Sequence, residues 1–168
     1  MSLSMYQASV PLFLRALGNL QHVLKLGEQH AKDKSVEGPV MLQTRLIPDM
    51  LPLVKQVQIA TDMAKNGTAR LAGVDPLAFE DNETSFEALH ARIERAIDYI
   101  KTFKPEQIDG SETRAITLKT RNGEQHFEGE AYLLHFVIPN LFFHITTAYA
   151  ILRTSGANLG KQDFIGKP

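Results

Sequence analysis

AYLLHFVIPNLFFHITTAYAILRTSG, residues 131–156, is almost wholly apolar yet carries Asn140, His144 and Thr147 at helical spacing. At about 100° per residue these three share one side of a helix with Val137, Leu141, Ala148 and Ile151, which read as core. A buried imidazole or amide without a partner costs about 1–3 kcal/mol, so other protein groups or a bound molecule must satisfy the trio. The spacing predicts a helix from near Gly129 to about Ser155, stopped by Gly156. Pro139 lies well inside it, which takes the partner from the carbonyl of His135 and predicts a kink one turn before Asn140.

Three further apolar stripes lie upstream. Tyr6, Val10, Phe13, Leu17, Leu20 and Leu24 alternate steps of four and three along a long first helix. Pro11 either sits inside its first turns and bends it, or the helix starts later with Ser9 as its cap. The polar stretch Lys32 to Gly38 closes that helix. Leu46, Met50, Leu53, Val57, Ala60 and Ala64 mark a second helix, ending at Gly73. Its start is open between two forms: Asp49 as N-cap with Pro52 in the first turn, or a beginning near Gln43 with a kink at Pro48 and Pro52. After a loop from Val74 to Glu83, Thr84 or Ser85 caps a third helix whose inward face is Phe86, Leu89, Ile93, Ala96, Ile100 and Phe103, and Pro105 ends it.

Between the third and last helices, the alternating RAITLKT, the pair Asn122-Gly123 and the shorter EQHF predict a β-hairpin with a type I′ turn at an exposed tip. It either covers one mouth of the bundle or pairs with another subunit. The tail LGKQDFIGKP keeps Phe164 and Ile165 to fold back on the helices. The fold class is therefore all-α, a four-helix bundle with a small β-hairpin before the last helix, in a single domain over residues 1–168.

Composition narrows the function classes. The chain of 168 residues has no cysteine, which removes disulfides, thiolate metal sites and thiol nucleophiles, and 18 Lys and Arg against 19 Asp and Glu give a net charge of −1. No general basic field for nucleic acid follows from that balance. The N-terminus reads as a helix rather than a leader, and the run Tyr132 to Phe143 is shorter than the ~20 residues a bilayer span needs, so no membrane partner is expected and the expected location is cytoplasmic. GxSxG, GxGxxG and GxxxxGK[ST] do not occur in the sequence, which leaves the enzyme class unassigned. Glu87, Arg92, Glu94, Arg95 and Asp98 read as a solvated face.

Chemistry centres on His144. Helical metal sites use two histidines in HxxxH, and here the first position is Asn140; His135, nine residues before His144, faces the other way. The partners that pattern offers His144 are Asp49 and Gln56, seven residues apart on either side of Leu53. An Asp49 contact would fix one tautomer of the imidazole and raise its tendency to carry a proton. Three readings stand side by side: a metal site, a hydrogen-bonded core cluster that fixes helix register, and a small-molecule or anion pocket framed by these groups and Arg153.

RLIPDMLPLVKQVQIATD (45–62), TSFEALHARI (84–93), the position of the hairpin and HFVIPNLFFHITTAYAILRTSGANLGKQDFIG (135–166) together resemble the DinB/YfiT-like bundle superfamily, and within it a bacterial subgroup of unassigned function. The resemblance implies the bundle, a homodimer and, in metal-binding relatives, one histidine from helix two with an HxxxH pair from helix four. On that comparison His144 matches the second histidine of the pair, Asn140 replaces the first, and Asp49 lies near the helix-two position. A divalent metal would then be held by His144, Asp49 and Asn140. The residues themselves lead to a small-ligand pocket at Asp49, Gln56, Asn140 and His144 or a non-catalytic dimeric scaffold, and the resemblance adds a metal-dependent thiol transferase or hydrolase.

Overall fold

Ser4 opens the first helix, α1 (Met5–Asp33), by accepting from the N–H of Gln7, while the Gln7 side chain accepts from the N–H of Ser4. The computed structural model describes residues 3–120 and 123–167. Pro11 lies inside α1, so the first of the two starts holds, and Ser9 is not a cap: its buried hydroxyl donates to the Met5 carbonyl at 2.6 Å. Four large side chains of the stripe, Phe13, Leu17, Leu20 and Leu24, are fully buried, each worth about 1.5–3 kcal/mol of burial.

The connection that follows contains a short helix, α2 (Gly38–Leu42), which hydrophobic periodicity did not signal because five residues are too few to show a period. The second bundle helix, α3 (Leu53–Leu71), starts later than either sequence reading allowed: Pro52 is its N-cap. Pro48 and Asp49 lie in a turn ahead of it, so Leu46 and Met50 belong to the turn rather than to the helical stripe. A proline disfavours α backbone in the residue before it, and two prolines four apart hold residues 47 and 51 out of the helix. At the far end Gly73, at φ +73°, and Val74 donate to the carbonyls of Arg70 and Ala69, the expected glycine stop.

Ser85 caps α4 (Phe86–Lys101) through the N–H of Ala88, and the six expected inward residues are all buried. Pro105 does not merely end that helix; it opens a short one, α5 (Pro105–Ile108). Strands β1 (Ala115–Thr120) and β2 (Gly123–Glu128) pair antiparallel with Ile116 opposite Phe127 and Thr120 opposite Gly123. Of the expected turn pair Asn122-Gly123, Gly123 is instead the first residue of β2, opposite Thr120, and Asn122 lies outside the described residues. The hairpin's apolar face rests on the bundle: Ile116 and Leu118 are buried, and the ring of Phe127 lies 5.8 Å from Tyr132 and 5.5 Å from Phe136.

The last long helix, α6 (Gly129–Thr154), packs chiefly on α3. An 18-residue window within its 26 residues has a mean hydropathy of 1.3, so the whole helix, unlike the shorter run Tyr132 to Phe143 inside it, meets a membrane span's length and composition. Here one face of the helix is core: Tyr132, Leu133, Val137, Leu141, Ile145, Ala148, Ile151 and Leu152 are buried within the bundle. Pro139 is accommodated by a π-helical turn over Tyr132–Val137, in which the N–H of Ile138 reaches back to the Leu133 carbonyl. The slipped register lets the chain pass the proline's missing donor inside one continuous helix. Beyond it, α7 (Lys161–Ile165) folds back on α1 as expected, with Phe164 edge-on to Tyr149 and both Arg15 and Asn19 donating to the Ile165 carbonyl.

Candidate functional site

Two of the three polar residues on α6 are satisfied within the helix. The Asn140 amide donates to the Phe136 carbonyl at 2.7 Å, in the turn the proline disturbs, and the Thr147 hydroxyl donates to the Phe143 carbonyl at 2.8 Å. His144 alone reaches another helix. Its ring, 9% exposed, meets Gln56 of α3, with 2.7 Å between Nδ1 and Oε1.

The hydrogen positions follow from the relay. Gln56 Nε2 donates to the Leu51 carbonyl at 2.9 Å, which fixes the amide's orientation and leaves Oε1 as a pure acceptor. The proton on the imidazole therefore sits on Nδ1, and Nε2 carries a lone pair. Among the described residues Nε2 has no hydrogen-bonding partner, and it is not one of the buried unpaired atoms. The Phe143 ring, 56% exposed, stands edge-on 5.2 Å from the imidazole, with Leu51 also exposed at the other end of the relay.

Burial alone shifts this histidine, and it lowers the pKa below the ordinary 6.5. The expected Asp49 contact would have raised it, and the structure corrects that expectation: Asp49 is exposed in the turn before α3, and Gln56 takes its place. Because the folded state holds His144 neutral while the unfolded chain protonates near 6.5, its contribution to stability is complete above that value and is lost as pH falls below it towards the lowered folded value. Gln56→Leu strands the Nδ1 proton and is expected to cost about 1–3 kcal/mol in urea unfolding near neutral pH.

The candidate metal donors His144, Asp49 and Asn140 are chemically weak as a set. One imidazole, an amide whose nitrogen is committed to Phe136 and a carboxylate turned to solvent make a poor set for zinc or nickel, and among the described residues no group of three or more His, Cys, Asp or Glu forms a metal-sized cluster. Arg153 does not frame the site either; it donates to the Ala157 carbonyl beyond the end of α6.

The sequence reading missed the densest polar cluster. Arg92, assigned there to a solvated face, is 1% exposed. Its guanidinium donates to Thr61 Oγ1, Asp62 Oδ1, Glu83 Oε1 and the Glu80 carbonyl at 2.8–3.0 Å, and lies 3.1 Å from Asp81. Lys65, equally buried, sits 3.6 Å from Asp62 and 4.5 Å over the Phe79 ring and bonds the Leu77 carbonyl. These contacts tie the acidic loop to α3 and α4. A signal was present: Arg92 is three residues after Leu89 and four before Ala96, on the apolar stripe itself, and the loop supplies Asp81 and Glu83.

Comparison with known proteins finds matches to a family model and to solved structures. A family model described as a domain of unknown function, DUF1993, covers residues 5–165. The crystal structure of a DinB family member from Shewanella denitrificans is 35% identical, superposes with a TM-score of 0.89, and is matched over 97% of this chain and 92% of that one. Among curated proteins there is no match.

Proposed function

The chain belongs to the DUF1993 family of DinB-like bundles, and from that premise we propose that it binds a small molecule at His144 without a metal of its own. The carrying observation is the imidazole's unshared Nε2, held in one tautomer by the relay through Gln56 to Leu51. A neutral histidine fixed this way offers a hydrogen-bond acceptor at Nε2 beside the exposed apolar ring of Phe143. It suits a ligand with an amide, phenol or alcohol donor and an apolar body. Asn140, one turn before His144 on α6, keeps an amide oxygen uncommitted by its bond to Phe136, and Asp49 is left out of the proposal.

Small-molecule sites are concave, and among the described residues the cleft of about 450 Å³ lies at the hairpin and two of about 310 Å³ lie at the start of α4 and between α1 and α7. The proposal therefore includes the homodimer: a second copy closes the site over the exposed Phe143. A cytoplasmic location belongs to the same reading.

An NMR-monitored screen of amide, phenol and alcohol fragments tests it. Hits that move the resonances of His144, Phe143 and Leu51 together, and that vanish in His144→Phe, support the site. Hits that map elsewhere, stoichiometric zinc, nickel or manganese in protein purified without a tag, or sedimentation as an 18.7 kDa monomer would overturn it.

A further inference from the structure

The cleft of about 450 Å³ between the end of α3 and strand β1 is lined by Arg70, Arg114 and Lys119 but by one carboxylate, Asp75. The two arginines come from sequence positions 44 apart, brought together because the hairpin rests where α3 stops. Each is held by one nitrogen. Arg70 Nη1 donates to the hydroxyl of Tyr132 at 3.0 Å, on a ring that is 1% exposed. Arg114 Nη1 bonds the Leu71 carbonyl.

Such anchoring leaves the other guanidinium donors pointing away from their tethers, and among the described residues neither arginine nor Lys119 forms an ion pair. The end of a helix normally presents negative carbonyls, which would oppose an anion. Here they are occupied: Arg70 and Ala69 by the N–H groups of Gly73 and Val74, Leu71 by Arg114. The cleft therefore faces its contents with pre-positioned cations. Val74 and Ile116 add an apolar wall.

We propose that this cleft binds a small organic dianion, a phosphate monoester or a dicarboxylate. The guanidinium fork matches both oxygen geometries bidentately, Lys119 adds a mobile point charge at the exposed rim, and the volume accommodates a ligand of modest size. The site is separate from His144 and does not depend on it.

Isothermal titration and NMR with glycerol 3-phosphate and glutarate as probes, and glycerol as the uncharged control, test the inference at low salt. Saturable one-to-one binding of either dianion, absent for glycerol, weakened by added salt and reduced about tenfold or more by both Arg70→Gln and Lys119→Gln, is the expected result. Lys119 is exposed, so its substitution leaves the melting temperature unchanged and keeps the test free of folding effects. No saturable binding of either dianion, or affinity unaltered in Lys119→Gln, overturns the proposal.

Discussion

Arg92→Met is expected to destabilise the protein by about 3–5 kcal/mol in urea unfolding at neutral pH, more than any other single charge removal. Methionine preserves most of the volume, so the loss reports the guanidinium's charge and hydrogen bonds rather than a cavity. What it leaves behind matters most: Asp62, Asp81 and Glu83 face a vacated cation, and the Glu83 side chain is only 6% exposed. A buried ion network is not strongly stabilising against an apolar replacement of the whole, but removing one partner strands the others. The double variant Arg92→Met with Glu83→Gln should therefore recover part of the loss. Arg92→Lys should recover little, because one ammonium cannot reach Thr61, Asp62, Glu83 and the Glu80 carbonyl from a single position.

Proton linkage gives a second readout. Burial raises the Asp62 carboxyl above 3.8 although Arg92 and Lys65 pull it down, and burial likewise lowers the Lys65 ammonium, so each leans towards its neutral form. A carboxyl with a raised folded pKa holds a proton that the unfolded chain releases, so its contribution favours folding at low pH and is lost as pH rises through the folded value. Without Arg92 that value moves further up. Arg92→Met should thus regain stability relative to the parent on mild acidification, and a pH-independent difference would show that the charges are not what the substitution disturbs.

The same network marks where sequence reasoning stops. Stripes of Leu, Ile, Val and Ala located the four long helices because burial on one face imposes the period. The Gln56 and His144 pairing lay within reach too, since both sit on facing stripes. Asp49 did not follow, because two prolines hold its turn out of the helix that would have carried it inward. Arg92 lay on its stripe in plain view; a charged residue is by default solvated, and only the folded loop supplies the carboxylates that reverse the default. The cleft at Arg70 and Arg114 is a product of tertiary placement, with no local spacing to announce it.

Gly129→Ala is expected to lose about 3 kcal/mol or more, and the sign is notable, since alanine in an exposed helix interior ordinarily gains up to about 1 kcal/mol over glycine. A Cβ at 129 would stand 1.9 Å from the Ser111 carbonyl oxygen. The obstacle is backbone, which no rotamer change can clear. Relief requires the first turn of α6 to part from residues 111 and 112, breaking the 2.9 Å bond from the Glu130 N–H to the Glu112 carbonyl. That contact ties the chain before the hairpin to the helix after it, so its loss should also loosen Ile116 and Phe127 from the Tyr132 ring. Gly18→Ala is the matched control: it is exposed in mid α1 with nothing within 4 Å of the added carbon, and it should stabilise by about 0.5–1 kcal/mol. Thermal melts of the two variants should move in opposite directions. If both rise, the approach of Ser111 to Gly129 is not the constraint on where the last helix begins.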